Sequence, residues 1–482
     1  MAEKYDVLVI GGGVTGAQIL RELARYRLRI ALLEKEHDLA CGATGANSAI
    51  IHAGYDPEPG TKKAYFNVLG SRMYEQVCRE LDILYKHCPS LVIAYDEEQA
   101  GTVAELVRRG QGYGVEGVKL IDKRELEGLE PNISESAVCA LYAPSSAIIE
   151  PWMAAIGAAE NAMDNGAVVF LNAEVTDISK ITDGYIINCA DGREFAAGVV
   201  INAAGLGAAK IHNMICAPSF EIKPRRGSYA VLDCENLVKN ILFPCPTNEG
   251  KGILITPEFH GKTMLGPDSR PVDGGESDVD MDDIAKIRGI VPRYLKREIP
   301  FAAAMRTFAG VRPAADRGDF IIEQPAGAPG FIDVAGIESP GLASAPAIAR
   351  HVAGMSAALL DAKKDPRFNP CCRPRARSRL LDYARREELI KKDAKFSRVI
   401  CRCEAVTEAD IIDAIRRSCG ASGIKGVKIR AGSGFGRCQG GFCQPEVLEI
   451  LARELGIPED EVLYNGPGSN VLTGKLKKGM GI

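Results

Sequence analysis

Several features that define special classes of protein are missing from this sequence. Its 482 residues carry 59 Lys and Arg against 63 Asp and Glu, a net charge of −4, so no excess of positive charge attracts nucleic acid or an anionic membrane. No apolar run reaches the roughly 18 residues that a bilayer-spanning helix needs. An apolar strand starts within five residues of the N-terminus, so we expect no signal peptide. These absences favour a globular protein of two or three domains.

Histidine is scarce, with six residues, so few side chains can exchange protons near neutral pH. Cysteine is plentiful, but its count of 15 is odd and most of these residues stand singly in apolar surroundings. Exported disulfide-rich proteins use paired cysteines. We therefore expect reduced thiols and a cytoplasmic location.

The start of the chain joins an apolar strand, Tyr5–Ile10, to the pattern G-x-G-x-x-G formed by Gly11, Gly13 and Gly16, and a helical apolar pattern follows. Glycines let the backbone approach a pyrophosphate, and the helix N-terminus offers it N–H groups and the positive end of a dipole. A second apolar strand ends in Glu34, 18 residues after Gly16, where an acid that binds ribose is expected. This pattern predicts a dinucleotide-binding unit.

A small, polar and glycine-rich segment, Cys41–Tyr55, comes next and contains Thr44, Asn47, Ser48 and His52. Backbone amides and short hydroxyls can wrap a ligand, although an ordinary surface loop has a similar composition. The position directly after a nucleotide-binding unit favours contact with the ligand.

Apolar periodicity predicts helices over 61–87 and 152–165, a hairpin through 175–195, and buried strands over 198–205 and 331–336. A helix of small residues follows the last strand, and the region between the two buried strands is rich in strands and breaks. The nucleotide-binding fold is therefore predicted to be discontinuous. The predicted division is a nucleotide-binding domain (1–88, 148–217 and 316–364), a substrate domain (89–147 and 218–315), a basic linker (365–397), a cysteine-rich domain (398–456) and a tail (457–482).

The linker is rich in Lys and Arg without interleaved aromatic residues. This composition favours a solvated linker with one amphipathic helix over a nucleic-acid patch, and a docking surface for an acidic protein stays open.

Two close cysteine pairs lie near the C-terminus: Cys401 with Cys403, and Cys438 with Cys443, separated by 34 residues. Such pairs in glycine-rich loops predict a metal centre with four thiolate ligands, either zinc or a 2Fe–2S cluster, with free thiols as the third reading. Zinc ribbons favour C-x2-C, which neither pair has, so the iron–sulfur cluster is favoured.

Between the pairs, the pattern predicts a helix over 409–417 and a basic strand over 425–430. The positive charges of this strand would stabilise a cluster of net negative charge. A short helix over 446–455 follows, and the end of the chain from Asn465 is expected to be flexible or loosely docked.

Several of these motifs, together with the strand end 202–205 and the segment 336–346, resemble the FAD-dependent oxidoreductases of the D-amino-acid-oxidase superfamily. Within it, the chain resembles the group of glycerol-3-phosphate and L-2-hydroxyglutarate dehydrogenases. Its C-terminal part is similar to the 2Fe–2S domain of bacterioferritin-associated ferredoxins, in the C-x4-C variant found fused to flavin dehydrogenases. The resemblance implies an α/β and α+β fold: a discontinuous Rossmann-like FAD-binding domain, an inserted antiparallel-sheet substrate domain, and a small helical iron–sulfur domain at the C-terminus.

The resemblance also implies which residues contact FAD. The residues so implied are Gly11, Gly13, Val14, Thr15, Gly16, Glu34, Lys35, Thr44, Asn47, Ser48, Val175, Ala204, Gly205, Gly341 and Leu342. The four paired cysteines would hold the cluster.

The resemblance assigns Arg312 to the position of the family's substrate-binding arginine. A guanidinium fork suits a carboxylate or phosphate, which explains why an arginine serves there. Arg225 and Arg306 lie in similar basic stretches, and an exposed strand end is the alternative interpretation of Arg225. The resemblance makes His52 the first candidate for the catalytic base, unless it only forms hydrogen bonds near the flavin. Further candidates for binding the substrate are Tyr55 and His260. His260 and Lys262 are weaker candidates for the catalytic base.

The implied reaction is oxidation of an anionic secondary alcohol, with sn-glycerol 3-phosphate as the first candidate. Oxidation of L-2-hydroxyglutarate or of an amine or imino acid is the alternative, and a non-catalytic electron-transfer subunit is the rival from another class. Electrons would pass from FAD through the cluster to a partner oxidoreductase subunit or quinone, with peripheral membrane contact allowed.

Overall fold

The computed structural model describes residues 2–246, 252–259 and 261–474. The α-helices are α1 (Val14–Leu23), α2 (Lys62–Leu81), α3 (Glu97–Gly112), α4 (Lys123–Leu129), α5 (Pro151–Asp164), α6 (Ala208–His212), α7 (Met281–Ile290), α8 (Gly341–Leu359), α9 (Tyr383–Lys392), α10 (Glu408–Arg416), α11 (Ile424–Ala431) and α12 (Gln444–Leu455). The strands are β1 (Glu3–Ile10), β2 (Ile30–Leu33), β3 (Ile50–Ile51), β4 (Tyr85–His87), β5 (Ser90–Ala94), β6 (Lys119–Asp122), β7 (Cys139–Ala143), β8 (Ala147–Ile149), β9 (Val168–Phe170), β10 (Val175–Ile181), β11 (Gly184–Cys189), β12 (Glu194–Asn202), β13 (Ile222–Leu232), β14 (Ile241–Pro244), β15 (Ile255–Pro257), β16 (Thr263–Leu265), β17 (Arg270–Pro271), β18 (Ala304–Ala315), β19 (Ile321–Glu323), β20 (Phe331–Ala335), β21 (Val399–Cys401) and β22 (Val406–Thr407).

One sheet carries the glycine turn. Its strands run in the order β10-β11-β12-β1-β2-β9, and β20 joins beside β12 with β19 at its other side. The central pairs are parallel, whereas β10 and β11 form an antiparallel extension. Helices α1, α5 and α8 share one buried core with this sheet. The register places Ile10 opposite both Leu33 and Asn202, so three neighbouring strands end together at the glycine turn.

A second sheet has the order β17-β13-β16-β15-β14-β5-β7-β6, with β18 paired to β13. Its neighbours are antiparallel except β14 and β5. The strands come from both predicted pieces of the substrate domain, and this confirms an inserted, mostly antiparallel sheet. The exact boundaries of the predicted domains stay a prediction.

The C-terminal domain has its own core, in which Ile411 of α10, Val427 of α11 and Leu451 of α12 are fully buried. The hairpin of β21 and β22 stands beside α10. In the part of the chain that the structure describes, no helix is long and apolar enough to cross a membrane.

The predicted helix over 61–87 was too long. Helix α2 ends at Leu81 because Asp82 adopts a left-handed conformation with φ +51° and its N–H bonds the Cys78 carbonyl. The following residues form strand β4 instead. Their apolar side chains continue the helical pattern by coincidence.

The predicted basic strand over 425–430 was wrong, because these residues belong to α11. Ile424 and Val427 are buried at the three-residue spacing of a helix, and Gly432 ends it with φ +89°. Of the predicted tail, the residues before Asn465 are packed: Val462 is fully buried, and the Leu463 carbonyl accepts the Ile424 N–H. None of residues 465–474 is buried, so the loose docking expected from Asn465 onward stays a prediction. Residues 475–482 of the predicted tail lie outside the described residues.

Candidate functional site

The turn between β1 and α1 brings backbone segments too close together for side chains. A Cβ atom on Gly16 would lie 2.0 Å from the Gly11 carbonyl oxygen, and one on Gly11 would lie 2.4 Å from that of Ala203. Helix α1 starts after Gly13 without a side-chain cap. Apart from the Val14 N–H, which donates to the Thr44 hydroxyl, its N-terminus keeps donors and a positive dipole end for an anion such as a pyrophosphate.

The Glu34 carboxylate lies against this turn. It accepts the Gly12 N–H at 2.5 Å and the Glu36 N–H at 2.9 Å. Burial raises the pKa of Glu34, and the two N–H donors act in the opposite direction. Lys35, in contrast, is 66% exposed and pairs with Glu36 at 3.3 Å. The structure therefore brings Glu34, but not Lys35, to the glycine turn.

The predicted ligand loop is fixed to the same turn. The Thr44 hydroxyl accepts the Val14 N–H at 2.9 Å. The Asn47 amide donates to the carbonyls of Ala43 and Thr44 and accepts the N–H of Ala49. Asn47 thus shapes the loop with its side chain, because both ends of its amide are used within it.

Ser48 connects the loop to the second sheet, since its hydroxyl lies 3.3 Å from the Tyr229 hydroxyl. At Gly310 of β18, a Cβ atom would lie 2.0 Å from the Ala46 carbonyl oxygen. The substrate-domain sheet therefore touches the loop that is predicted to hold the cofactor.

The remaining predicted FAD contacts come from three strand or helix ends. Val175 is buried at the start of β10, and Ala204 and Gly205 directly follow Ala203, which touches Gly11. Gly341 and Leu342 open α8, which also lacks a side-chain cap. Contact between these residues and FAD itself stays a prediction.

Two predicted substrate arginines lie opposite each other on paired strands: Arg225 on β13 and Arg312 on β18. Arg225 Nε and Arg312 Nη1 both donate to the Ser269 hydroxyl, at 3.2 and 3.3 Å, and Arg312 Nη2 donates to the Asp268 carbonyl at 3.3 Å. Neither guanidinium forms an ion pair with a carboxylate of the described residues. Like charges that face each other across strands repel. An anion between these guanidiniums would relieve that repulsion.

Two further arginines, Arg226 and Arg306, contact other groups. Arg226 donates to buried Asp283 at 2.7 Å. Arg306 lies 5.1 Å from the Phe308 ring centroid and 5.8 Å from that of Phe435 in the C-terminal domain. Burial lowers the pKa of Arg306, against the opposing effect of Glu258. The structure thus places Arg306, predicted as a substrate ligand, at a contact between domains.

His52 lines an open cavity with Asp56 and Phe243, and its ring centroid lies 5.7 Å from that of Phe243. Tyr55 lines the same cavity but is only 4% exposed, and its hydroxyl lies 3.2 Å from the Ser90 hydroxyl. These contacts make Tyr55 part of the core of the substrate domain, so its predicted substrate role gains no support. His260 lies outside the described residues.

The four paired cysteines meet in the C-terminal domain although the two pairs lie far apart in the chain. The Cys403 and Cys438 sulfurs are 3.9 Å apart, and Cys443 donates a hydrogen bond to Cys401. The sulfurs thus stand as two pairs, and among the described residues no three His, Cys, Asp or Glu side chains converge on one metal-ion position. A 2Fe–2S cluster takes two thiolates on each iron, so this donor set fits the cluster.

Hydrogen bonds already favour thiolate character at two of these positions. The bond from Cys443 lowers the pKa of Cys401 to about 6 and raises that of Cys443. Burial opposes ionisation of Cys438, but the N–H groups of Gly440 and Phe442 outweigh it and lower its pKa. N–H donors aimed at sulfur also tune the potential of a bound cluster.

The cluster loops dock on both other domains. Trp152, in the first turn of α5, stacks on Phe435 with ring centroids 5.6 Å apart. Lys262 donates to Glu404 at 3.0 Å and to the Phe435 carbonyl at 3.2 Å. Lys262, one of the weaker candidates for a base, is thus held in a buried ion pair beside Cys403, a predicted cluster ligand.

The predicted solvated linker is only partly solvated. Arg375 and Arg417 are 7% and 3% exposed, and both bind the buried carboxylate of Glu160, at 2.6 and 2.7 Å. Arg377 pairs with Asp82 at 2.8 Å. The first part of the linker therefore fastens the C-terminal domain to α5, while α9 buries none of its side chains.

Sequence reasoning did not single out Trp152, Phe435 or Ser269. Trp152 is the single tryptophan of the chain, and its position in the first turn of a helix offered a weak signal. Ser269 has no local signature, because its role depends on strands that only the fold brings together.

Comparison with known proteins agrees with this architecture. Residues 6–355 match the family described as DAO, FAD dependent oxidoreductase, and residues 399–453 match the BFD-like [2Fe-2S] binding domain. A glycerol 3-phosphate dehydrogenase of Caloramator mitchellensis is 44% identical over 98% of this chain and 99% of its own length. A glycerol 3-phosphate oxidase of Mycoplasma genitalium is 32% identical over 76% of this chain and 98% of its own.

A solved structure, the dithionite-reduced L-α-glycerophosphate oxidase of Mycoplasma pneumoniae with FAD bound, superposes with a TM-score of 0.72. It is 31% identical, and the match covers 77% of this chain and 98% of the oxidase. The matched families and the fold agree on the FAD-binding and cluster-binding parts. The chain belongs to the DAO family of FAD-dependent oxidoreductases and carries a BFD-like [2Fe–2S] domain behind the FAD-dependent part.

Proposed function

We propose that this oxidoreductase oxidises sn-glycerol 3-phosphate to dihydroxyacetone phosphate. The observation that carries the proposal is the facing pair Arg225 and Arg312, joined through Ser269 and lacking carboxylate partners among the described residues. Two guanidiniums and a hydroxyl offer the several donors that a phosphate dianion accepts. The full-length similarity to a glycerol 3-phosphate dehydrogenase supports the same substrate.

The protein's residues would anchor, orient and deprotonate this substrate. Arg225, Arg312 and Ser269 would hold the phosphate, which fixes the carbinol carbon at a set distance from the strand pair. His52 is the proposed base for the hydroxyl proton, since imidazole suits proton transfer near neutral pH. The apolar ring of Phe243 lies on one side of this imidazole.

FAD, when bound, supplies a two-electron acceptor for the carbinol hydride. Glu34 and the Gly11–Gly16 turn would hold its adenosine and pyrophosphate end, and Thr44 and Ser48 the part that leads to the ring. The cluster supplies one-electron chemistry and would be held by Cys401, Cys403, Cys438 and Cys443. Transfer to a partner oxidoreductase subunit or quinone, and a cytoplasmic location, belong to the same proposal.

The test is anaerobic reduction of the purified flavoprotein. The flavin absorption band should bleach with sn-glycerol 3-phosphate, and much more slowly with glycerol, which lacks the phosphate. Bleaching by L-2-hydroxyglutarate or an imino acid, but not by glycerol 3-phosphate, would replace the proposed substrate. If no alcohol or amine bleaches the flavin, the chain acts as an electron-transfer subunit.

Variants connect the result to the arginine pair. Arg312→Met and Arg225→Met should each raise KM for glycerol 3-phosphate by about 10- to 100-fold, because a hydrogen bond to a charged group contributes about 1.5–3 kcal/mol. Their slow reaction with glycerol should stay unchanged. Arg79→Met, at a position 74% exposed on α2, is the matched control and should behave like the parent. A phosphate anchor elsewhere predicts unchanged KM in both variants.

A further inference from the structure

The loop between the ligands Cys438 and Cys443 exposes an aromatic side chain. Phe442 is 86% exposed, although Cys443 beside it is buried. Single exposed apolar residues are common on protein surfaces and carry no meaning by themselves. Phe442 differs because it stands directly before one cluster ligand and four residues after another.

The surroundings of Phe442 are exposed and positively charged. Cys403 is an exposed ligand, Arg402 next to it is exposed, and Arg437 is 77% exposed while it pairs with Asp233 at 2.6 Å. We call the surface of Arg402, Cys403, Arg437 and Phe442 the cluster face.

Two acids lie beside the cluster face: Asp233, which is 33% exposed and pairs with Arg437, and Glu404, which points inward. Glu404 is 9% exposed and pairs with Lys262 at 3.0 Å and with Arg379 at 3.3 Å. The charge of Glu404 is therefore compensated inside the molecule and that of Asp233 by Arg437, so Arg402 carries the positive charge that an approaching protein meets.

We propose that the cluster face is the docking site of a one-electron carrier protein with an acidic surface around its own redox centre. The proposal rests on the proposed function, because it names the partner that receives the electrons. Aromatic and arginine side chains dominate the energetics of protein interfaces, and opposite charges speed association and select partners. The exposed ligand Cys403 lies within the same surface, so a docked carrier would sit against the cluster.

The electron balance fixes the stoichiometry. Oxidation of one alcohol to a ketone releases two electrons and two protons. Two carrier molecules therefore dock in succession, each takes one electron, and the protons pass to water.

The experiment uses the full-length protein loaded with FAD and cluster and reduced anaerobically by dithionite, with the excess removed. Because no substrate is needed, a failure of docking is separate from a failure of the proposed reaction. Plastocyanin of higher plants serves as the acidic one-electron carrier, and mitochondrial cytochrome c serves as a basic carrier of similar size. The rate of carrier reduction is followed by absorbance, and the affinity of oxidised plastocyanin for the oxidised protein is measured by calorimetry.

The expected result is faster reduction of plastocyanin than of cytochrome c at low ionic strength, with a rate that falls as salt is added. Phe442→Ala and Arg402→Glu should each weaken plastocyanin binding by about tenfold, the effect of losing an interface contact of about 1.4 kcal/mol. Reduction of benzoquinone, a small uncharged acceptor, should stay unchanged. The matched controls are Tyr383→Ala, at a position 83% exposed on α9, and Arg416→Glu, at a position 67% exposed on α10; both should bind plastocyanin like the parent.

Three outcomes would overturn the proposal. One is faster transfer to cytochrome c than to plastocyanin, and another is plastocyanin binding that the Phe442 and Arg402 variants leave intact. The third is sedimentation with anionic phosphatidylglycerol vesicles that depends on Phe442, because it would assign this face to a membrane.

Discussion

The indole of Trp152 and the phenyl ring of Phe435 stack with centroids 5.6 Å apart and planes 14° from parallel. Trp152 belongs to helix α5 of the FAD-binding part, and Phe435 lies three residues before Cys438, a predicted cluster ligand. Lys428 adds a cation 4.8 Å from the Phe435 ring centroid. This contact therefore fixes the cluster loop against the domain that binds FAD, and aromatic pairs of this kind contribute about 0.5–1.5 kcal/mol beyond the burial of area.

Trp152 makes this contact measurable, because the chain has one tryptophan. Phe435→Ala should shift its fluorescence emission to longer wavelength, since water gains access to the indole. Phe442→Ala removes another ring of the same loop, but one that is 86% exposed, and should leave the emission unchanged. Equal emission in both variants and the parent would show that the stack does not form in solution.

Sequence patterns predict those features of the fold and the site that depend on the spacing of residues along the chain. The glycine turn with Glu34 and the two cysteine pairs are predictable because each motif has a characteristic spacing along the chain. The facing of Arg225 and Arg312, the contact of Gly310 with Ala46, and the docking of Phe435 depend on strand register and on domain packing. Arg306 shows the limit well: its sequence surroundings resemble those of a substrate ligand, and only the docked cluster domain reveals its aromatic partners.

Arg417 holds the domains together through a buried charge. It is 3% exposed and bonds Glu160, which is equally buried, at 2.7 Å. Arg417→Met would leave part of that buried carboxylate unpaired, so we expect a loss of roughly 3–5 kcal/mol in the free energy of unfolding. Urea unfolding followed by circular dichroism measures this loss.

The neighbouring residue provides the control. Arg416 is 67% exposed and pairs with Glu454, so Arg416→Met should cost no more than about 1 kcal/mol. Similar losses in the two variants would show that the Glu160 contact contributes little.

Cysteine substitution should separate the two cofactors. Cys438→Ser removes one of the four thiolates, so the protein should lose most of its iron and acid-labile sulfide but keep its flavin. Cys371→Ser alters an exposed thiol outside the cluster loops and should retain both. Iron and sulfide analysis, with the electron paramagnetic resonance signal of the reduced protein, gives the result. Full iron content in Cys438→Ser would show that another residue completes the ligand set.

Gly310 tests whether the substrate-domain sheet supports the FAD loop. A Cβ atom there would lie 2.0 Å from the Ala46 carbonyl oxygen, between Thr44 and Ser48 in the chain. Gly310→Ala should therefore displace the loop and weaken FAD binding by about 10- to 100-fold, as expected when overpacking costs about 1–3 kcal/mol.

Gly354 lies within α8, and a Cβ atom added there would meet nothing within 4 Å. Gly354→Ala should thus keep the flavin and gain about 0.5–1 kcal/mol in the free energy of unfolding. The flavin-to-protein ratio after dialysis, and the dissociation constant from FAD titration, decide the matter: equal flavin retention in both variants would mean that the loop holds FAD without support from β18.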